Sequence, residues 1–492
     1  MIYSVALSTE LNKQALSHML RADGQEDLCF ALWRPSQGRD RLSGLLWKII
    51  LPEAGERQVH GNVSFLPSYL ERVIDIALEN QAGLAFLHSH PMPGWQNMSQ
   101  DDIDAENRLA PTAMAVTGLP LLGLTLGTDG AWSARFWNKV GSHKYQRNWC
   151  GTVRVVGEKM RVTYNDVLVP ELNFKGELSR TVSAWGNKEQ QHLMRLRVGI
   201  IGAGNVGSIV AETLARMGIA HIKLIDFDSV EQHNLDRILH SRPLDALLQH
   251  AKVQMLSREL KNSASASPFT VDALEYSIVE DYGFRAALDC DILFSCVDRP
   301  LARFVLNFIA YAHLIPVIDG GIRAEAKKNQ NGMLRADWRS HIAGPSHICL
   351  ECIGQYRSED VSTERSGYLD DPSYIAGLPD SHFIKHNENV FAFGLSLAAL
   401  EIQQFLALLL NLPGELVRKS QMYHFVDDTT EYDERTCNSN CSFPPLTALG
   451  DHAETKVTSQ HLIAEKARAN RSRFHHSLSY WILKVFKKKC NQ

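Results

Sequence analysis

The chain has 492 residues, 45% of them hydrophobic and 22% charged, with a formal net charge of -4. That length allows two or three domains with well-buried cores, and the ordinary composition excludes a disordered or fibrous chain. The weak negative balance excludes a broad electrostatic pull towards nucleic acid.

Taken in chain order, residues 1–140 read as an α+β unit. A helix is expected over residues 9–21, strands over 28–33 and 45–51, and a helix over 68–80. The strand 84–87 delivers a histidine-rich loop, a helix resumes over 100–109, and strands at 121–126 and 132–137 close the unit. Residues 141–177 are more polar and read as a linker with some strand content. From 178 to about 450 strands alternate with helices, the pattern of a mostly parallel, doubly wound α/β sheet. The apolar stretch 391–412 is interrupted by Glu401, Gln403 and Gln404, so it reads as a buried amphipathic helix rather than a membrane span. Residues 451–492 form a polar, increasingly basic tail. No internal repeat is visible. Residues 1–14 lack a basic start followed by an apolar core, which argues against a secretory signal. Nine unevenly spaced cysteines in such a chain point to a reducing, cytoplasmic setting, with metal or thiol chemistry favoured over disulfides.

The first chemical motif is His88-Ser89-His90-Pro91, followed by Ser99 and Asp102. Two histidines one residue apart, leaving a buried strand, can aim both imidazoles at one ion, and Asp102 on the first turn of the next helix can supply a third ligand. Three protein ligands leave the fourth tetrahedral position open, as in catalytic rather than structural zinc sites. Zinc lowers the pKa of bound water to roughly 7. The chemistry also requires a carboxylate base and a donor for the oxyanion, for which Ser99 is a candidate. The plainer alternative is a surface loop with two ordinary histidines.

This set resembles the JAB/MPN (JAMM) metalloproteases, which hydrolyse bonds at the C-terminal glycine of ubiquitin-like proteins. The resemblance implies a glutamate base on an early strand behind the first helix, and the segment from Gly24 to Leu32 places it at Glu26. Eight residues separate His90 from Ser99 where most members have seven. The Pro93-Gly94-Trp95 loop is therefore expected to bulge, and the third ligand lies between Asp101 and Asp102, with Asp102 preferred.

The second motif starts at Gly202, Gly204 and Gly207, which permit a tight turn, close backbone approach to phosphate and close helix packing. Asp226 follows at the end of the next strand, at a distance along the chain suited to gripping a ribose hydroxyl. A nicotinamide-binding domain would share these features. Asn234, Arg237, Lys252 and Asp298 set the two apart, because hydride transfer has no need of such charges around its phosphates. Attack on an ATP α-phosphate does need them, to meet the charge on the transferring group and to hold magnesium.

From residue 178 to about 450 this region resembles the ThiF/MoeB and ubiquitin-activating family, through the run Leu224 to Glu231 leading to Asn234 and Arg237. The resemblance implies that Asp226 binds ribose, that Arg237 and Lys252 contact phosphates and that Asp298 holds Mg2+. It also implies that Arg180 reaches the partner subunit's ATP, hence a homodimer. Asn205 stands where the family often has glycine, and the interval from Arg237 to Lys252 is longer.

Cys349-x-x-Cys352 and Cys437-x-x-x-Cys441 can close a four-thiolate structural zinc site, which ThiF/MoeB relatives often carry here. The alternatives are free thiols, or Cys349 or Cys352 acting as an acyl acceptor. Segment 355–389, where thioester-forming relatives place a cysteine, has none. That favours adenylation without a stable thioester. The tail holds eight Lys or Arg between Glu465 and Lys489 and reads as a solvated helix, with docking on a membrane surface or partner as the other reading.

Together these features imply a JAMM protease fused to an activating enzyme for a ubiquitin-like or sulfur-carrier protein with a C-terminal Gly. ATP, Mg2+, a catalytic zinc and a structural zinc are its expected cofactors. The setting is a bacterial conjugation pathway with a ubiquitin-conjugating-type enzyme, and defence against phage is one such context. Sulfur delivery for cofactor synthesis is the alternative. Two other classes stand beside it: an NAD-dependent oxidoreductase with a structural metal domain, and a non-catalytic binding scaffold.

Overall fold

The computed structural model describes residues 1–492 apart from 61, 175, 328–331, 380–381, 383, 385–387, 411–419, 456, 478–479 and 483–492. Two units emerge: residues 1–171 with 310–314 and 442–455, and residues 172–309, 315–441 and 456–492.

The first unit runs β1 (Ile2–Ser8), α1 (Thr9–Met19), β2 (Leu28–Gln37), β3 (Arg41–Ile50), β4 (Arg57–His60), β5 (Asn62–Phe65), α2 (Pro67–Glu79), β6 (Gly83–Ser89), α3 (Gln100–Thr117), β7 (Leu121–Leu126), β8 (Trp132–Gly141), β9 (Lys144–Trp149), β10 (Thr152–Val156) and β11 (Met160–Tyr164). Nine of these strands form one sheet, in the order β11-β10-β1-β3-β2-β6-β7-β8-β9. Period-two alternation builds a core on each face. From β2 and β6, Cys29, Ala31, Trp33, Ala85 and Leu87 pack with Ala15 and Met19 of α1. Their neighbours Leu28, Phe30, Leu32, Leu84 and Phe86 pack with Tyr69 and Val73 of α2 and Leu109 and Ala113 of α3. The helix α3, with Pro111 in its interior, runs on to Thr117, past the expected stop at 109, because burial of Ala110 and Ala113 outweighs the local propensity.

The expected linker is instead structural. Residues 144–164 supply β9, β10 and β11, and β10 pairs in parallel with β1 from Ser4↔Thr152 to Ser8↔Val156. All of β10 is buried, Arg154 included. Its polar residues misled the composition reading.

The second unit runs β12 (Asn173–Phe174), α4 (Ser179–Trp185), α5 (Asn187–Met194), β13 (Arg197–Ile201), α6 (Asn205–Arg216), β14 (His221–Ile225), α7 (Pro243–Leu247), α8 (Lys252–Ser263), β15 (Ala266–Ser267), β16 (Thr270–Leu274), α9 (Asp281–Ala287), β17 (Ile292–Ser295), α10 (Pro300–Ala312), β18 (Val317–Ala326), β19 (Met333–Ala343), α11 (Ser358–Arg365), α12 (Pro372–Gly377), α13 (Phe391–Leu409), β20 (Ser420–His424), β21 (Thr429–Asp433) and α14 (Leu462–His475). Its eight-stranded sheet has the order β16-β14-β13-β17-β18-β19-β20-β21. The strands from β16 to β18 pair in parallel; from β18 onwards the pairing is antiparallel. The strand–helix alternation therefore ends earlier than the expected 450. The parallel part has the Rossmann order, whose chain reversal between β13 and β17 opens a crevice at the strands' carboxyl ends.

The tail contains the expected helix, α14, and most of its residues are exposed or half-buried. Ala464 and Arg471 of α14 are buried within the second unit, and Asp451 groups with the first; residues 483–492 of the basic run lie outside the described residues. Among the described residues one helix, Phe391–Leu409, is long and apolar enough to cross a membrane, and most of it is buried in the protein. Its Glu401 and Gln404 are wholly enclosed.

Arg135 and Glu106 form a fully buried ion pair between β8 and α3, and Trp137 Nε1 donates to the same carboxylate at 2.6 Å. Glu106→Ala should cost the first unit about 3–5 kcal/mol by leaving the guanidinium buried and uncompensated. Denaturant unfolding followed by tryptophan fluorescence checks it.

Candidate functional site

In β6 the residues Leu84, Phe86 and His88 point to the face covered by α3, and the same alternation carries His90 beyond the strand end. Asp102 is the third residue of α3. Its turn is fixed by a capping box: Asp102 N donates to Ser99 Oγ at 3.2 Å, and Ser99 N to Asp102 Oδ2 at 2.8 Å. The carboxylate is thereby aimed at the strand end. His88 Nε2 lies 3.3 Å from Asp102 Oδ1, and His90 Nε2 lies 3.2 Å from Oδ2. All three candidate donor atoms fall within 4.8 Å of one another. A tetrahedral zinc about 2.0–2.1 Å from each ligand needs donor pairs roughly 3.3 Å apart, so the set fits such an ion. Burial opposes ionisation of Asp102, yet the two imidazoles donating to it hold the carboxyl far below its ordinary range.

Asp102 is the carboxylate directed at the two histidines, and Asp101 is exposed. In the loop before α3, Gln96 Nε2 donates to the carbonyls of Met92, Pro93 and Gly94 at 3.1, 2.8 and 3.0 Å. Sequence reading missed Gln96, although a glutamine just after a Pro-x-Pro-Gly turn is a signal for such a staple. It also missed Thr125, whose Oγ1 sits 3.2 Å from His88 Nε2 and accepts from Arg135.

Glu26 precedes β2 rather than standing in it. Leu28 pairs with His88, and Ser89 N donates to Asp27 O at 2.9 Å. Continued past the end of β2, that register sets Glu26 opposite His90. Both line a cleft of about 180 Å³ with Arg21, Ser89, Pro91 and Thr128. The neighbouring Asp27 is fully buried in ion pairs with Arg21 and Arg57, so Glu26 is the carboxylate presented to the cleft. Ser99 is exposed and its oxygen caps α3; its hydroxyl hydrogen stays available for donation.

In the second unit the turn after β13 is tightly specified. Gly202 has φ +95°, and a Cβ there would lie 2.4 Å from Cys296 O; at Gly207 it would lie 1.8 Å from Gly202 O. Gly204 faces open space. Asp226 directly follows β14, and its carboxylate accepts from Ala203 N at 2.7 Å and Asp228 N at 2.8 Å. Burial pushes this carboxyl up, and Lys252 opposes the shift. Lys252 Nζ donates to Asp228 Oδ2 at 2.7 Å, and burial that would depress it is outweighed by Asp226, Asp228 and Asp298. Asp298 lies exposed just beyond β17. Asp226, held on Ala203 N of the glycine turn, thus groups with Lys252 and Asp298.

The remaining residues of that set are placed differently. Asn234 is buried, and its Oδ1 accepts from Glu231 N at 3.1 Å to cap a short turn. Arg237 donates to His233 O and, at 2.9 Å, to Asp236 Oδ1. Arg180 is exposed on α4, a helix with no buried residue. Asn205 donates to Asn389 Oδ1 at 2.7 Å and to Val390 O at 3.2 Å, which fastens α6 to the start of α13.

Cys349, Cys352, Cys437 and Cys441 have their sulfurs within 4.8 Å of one another. Cys349 N donates to Cys437 Sγ at 3.1 Å and Cys352 N to Cys349 Sγ at 3.3 Å, as thiolates closing a metal site accept from backbone amides. The donor set and spacing fit tetrahedral zinc. Cys29, Cys150, Cys290 and Cys296 stand apart from this cluster, and Cys490 lies outside the described residues.

Residues 178–367 match the ThiF family. Adenylyltransferase and sulfurtransferase UBA4 of Yarrowia lipolytica is 27% identical over 188 residues, 37% of this chain and 40% of that protein. Ubiquitin-like modifier-activating enzyme 5 of Gallus gallus is 32% identical over 130 residues, 24% of this chain and 32% of that protein. Among solved structures, E. coli MccB with ATP aligns at TM-score 0.41 and 19% identity, over 55% of this chain and 75% of that chain. The chain spans about two fifths or less of the length of these curated relatives. Residues 178–367 form a ThiF/MoeB-like domain with a Rossmann-like, partly parallel sheet.

The two candidate ligand sets predict the metal content of the purified protein. Elemental analysis should find about two zinc ions per chain, with His88→Ala and Cys441→Ser each removing about one. The cysteine variant should also lose thermal stability, because a closed four-thiolate site contributes to folding.

Proposed function

We propose that the second unit adenylates the C-terminal carboxylate of a ubiquitin-like or sulfur-carrier protein, and that the first hydrolyses peptide or isopeptide bonds after that same C-terminal Gly. The observation that carries the first half is the grouping of Asp226, Lys252 and Asp298 beside the glycine turn, where Asp226 accepts from Ala203 N, inside the segment matching the ThiF family. The partner carboxylate attacks the α-phosphorus of ATP. One P–O bond forms, the bond to pyrophosphate breaks, and an acyl-adenylate and pyrophosphate result. Asp226 accepts the ribose hydroxyl, Lys252 and Arg237 meet the phosphate charge, and Asp298 holds Mg2+. Arg180 reaches into the second subunit of a homodimer.

In the first unit, His88, His90 and Asp102 would hold zinc, which supplies a polarised carbonyl and an acidified water. Glu26 takes the proton of the attacking water and returns it to the leaving amine, and Ser99 donates to the oxyanion. This unit is accordingly read as a JAB/MPN (JAMM) domain. Hydrolysis releases the carboxylate that adenylation consumes, which gives a reason for joining both activities in one chain. A cytoplasmic bacterial conjugation pathway with a ubiquitin-conjugating-type enzyme is the preferred setting, and the absence of cysteine from 355–389 favours adenylation without a stable thioester. Sulfur delivery is the second reading, supported by the UBA4 relative, whose name joins adenylyltransferase and sulfurtransferase.

Exchange of labelled pyrophosphate into ATP, dependent on a Gly-ended ubiquitin-like protein, tests the adenylation. Lys252→Ala and Asp298→Ala should each lower exchange by about a hundredfold or more. No exchange with any Gly-terminated partner would overturn the adenylation reading. Glu26→Gln should abolish cleavage of a C-terminally extended partner while zinc content and exchange persist; full cleavage by this variant would remove Glu26 as the base.

A further inference from the structure

The helix α14 comes long after the nucleotide motif in sequence, yet it grips the loop between Asp226 and Lys252. Arg471 is the centre of that contact and is only 4% exposed. Its Nη2 donates to Phe227 O at 3.2 Å and its Nη1 to Ser229 Oγ at 2.6 Å. Its Nε and Nη2 donate to Glu275 Oε2 at 2.9 and 2.6 Å. Glu275 directly follows β16, whose Leu274 O accepts from Asp226 N at 3.1 Å. One guanidinium therefore ties both residues flanking Asp228 to the neighbouring strand end. Arg468 reinforces it, donating to Glu275 O at 3.1 Å and pairing with Glu280 at 2.5 Å. The ring of His461, just before the helix, meets Phe227 edge-on with centroids 5.0 Å apart.

We propose that α14 is an integral part of the nucleotide site and that Arg471 is its positioning residue, holding the 227–229 loop so that Asp226 and Lys252 keep the spacing a bound ATP requires. The inference rests on the reading of Asp226 and Lys252 as ATP contacts. Asp228 links those two side chains: its N–H orients Asp226 Oδ1, and its carboxylate accepts from Lys252 Nζ. A shift of residues 227–229 moves both ligand groups at once. Without its clamp the loop samples other positions, and ordering it again opposes nucleotide binding. The cost falls on ATP affinity, since Arg471 itself touches no reacting atom.

The test is ATP binding by calorimetry together with partner-dependent pyrophosphate exchange, on the full chain and on Arg471→Ala, Arg471→Lys and Ser229→Ala. Loss of charge-assisted hydrogen bonds predicts about a tenfold or larger rise in the ATP dissociation constant for Arg471→Ala. KM for ATP should rise in parallel while kcat at saturating ATP stays close to the unsubstituted level. Arg471→Lys and Ser229→Ala should fall in between. Because Arg471→Ala removes a buried residue, the two milder variants decide the matter if it does not fold. Unchanged ATP affinity in every folded variant overturns the inference. So does a fall in kcat at constant KM, which would mark a contribution to chemistry rather than positioning. Failure of the unsubstituted chain to bind ATP would instead overturn the nucleotide reading beneath it.

Discussion

Everything proposed for the second unit depends on one steric constraint, the closed turn between β13 and α6. Backbone carbonyls occupy the places where side chains of residues 202 and 207 would begin. Only this compression brings the first turn of α6 against β17 at the point where the strand order reverses. The reversal leaves the carboxyl ends of β14, β13 and β17 facing one crevice, and those ends carry Asp226, Gly202 and Asp298. The unfilled space at Gly204 is the complement of that compression, because the turn is tight behind and open in front. An anion approaching from the front meets the amino end of α6 and the ammonium of Lys252. The carboxylates around that ammonium raise its proton affinity, so the cation is present before the ligand arrives.

The first unit uses a different device to the same end. Its candidate ligands come from a strand with period two and from the first turn of a helix. The capping box that ends the loop also fixes the direction of Asp102. One residue thus satisfies the helix terminus and both imidazoles. Beneath it, Arg135 and Glu106 form a charged layer with no exposure, linked upward through Thr125 to His88. A rigid floor of this kind limits how far the histidine ring can turn.

Much of this was legible in the sequence because the informative residues follow simple periods. His88 and His90 inherit the alternation of Leu84 and Phe86, and the glycine turn lies between two clear hydrophobic strands. The helical start at residue 100, which puts Asp102 on the first turn of α3, is reproduced by the structure. What was not legible depended on pairing across long sequence distances. β10 looked like linker because Thr152 and Arg154 are polar, but its parallel partner β1 is the first strand of the chain, and pairing there leaves every residue of β10 buried. The basic character of the last segment likewise suggested solvation. Arg468 and Arg471 instead meet Glu275 and Glu280, acidic residues that nothing local connects to them. Asn205 likewise has a partner far along the chain, Asn389 ahead of α13.

That last contact explains how α13 can be as apolar as a membrane-crossing helix and still belong to the fold. Where the helix begins, Gly394 leaves room for the Asn205 amide, since a Cβ there would stand 2.3 Å from its Oδ1. Further along, Gly320 of β18 leaves room for Glu401, whose Oε1 would lie 1.7 Å from a Cβ at that position. Burial, with Asp319 nearby, pushes the Glu401 carboxyl well above its ordinary range. Cys296, the residue whose carbonyl closes the turn at Gly202, directs its thiol at the same carboxyl at 3.8 Å. The polar interruptions of α13 are therefore the positions where it is keyed to the strands beneath the nucleotide turn. Its apolar residues fill the space between them, and a lipid phase could replace that packing but could not supply the two glycine recesses.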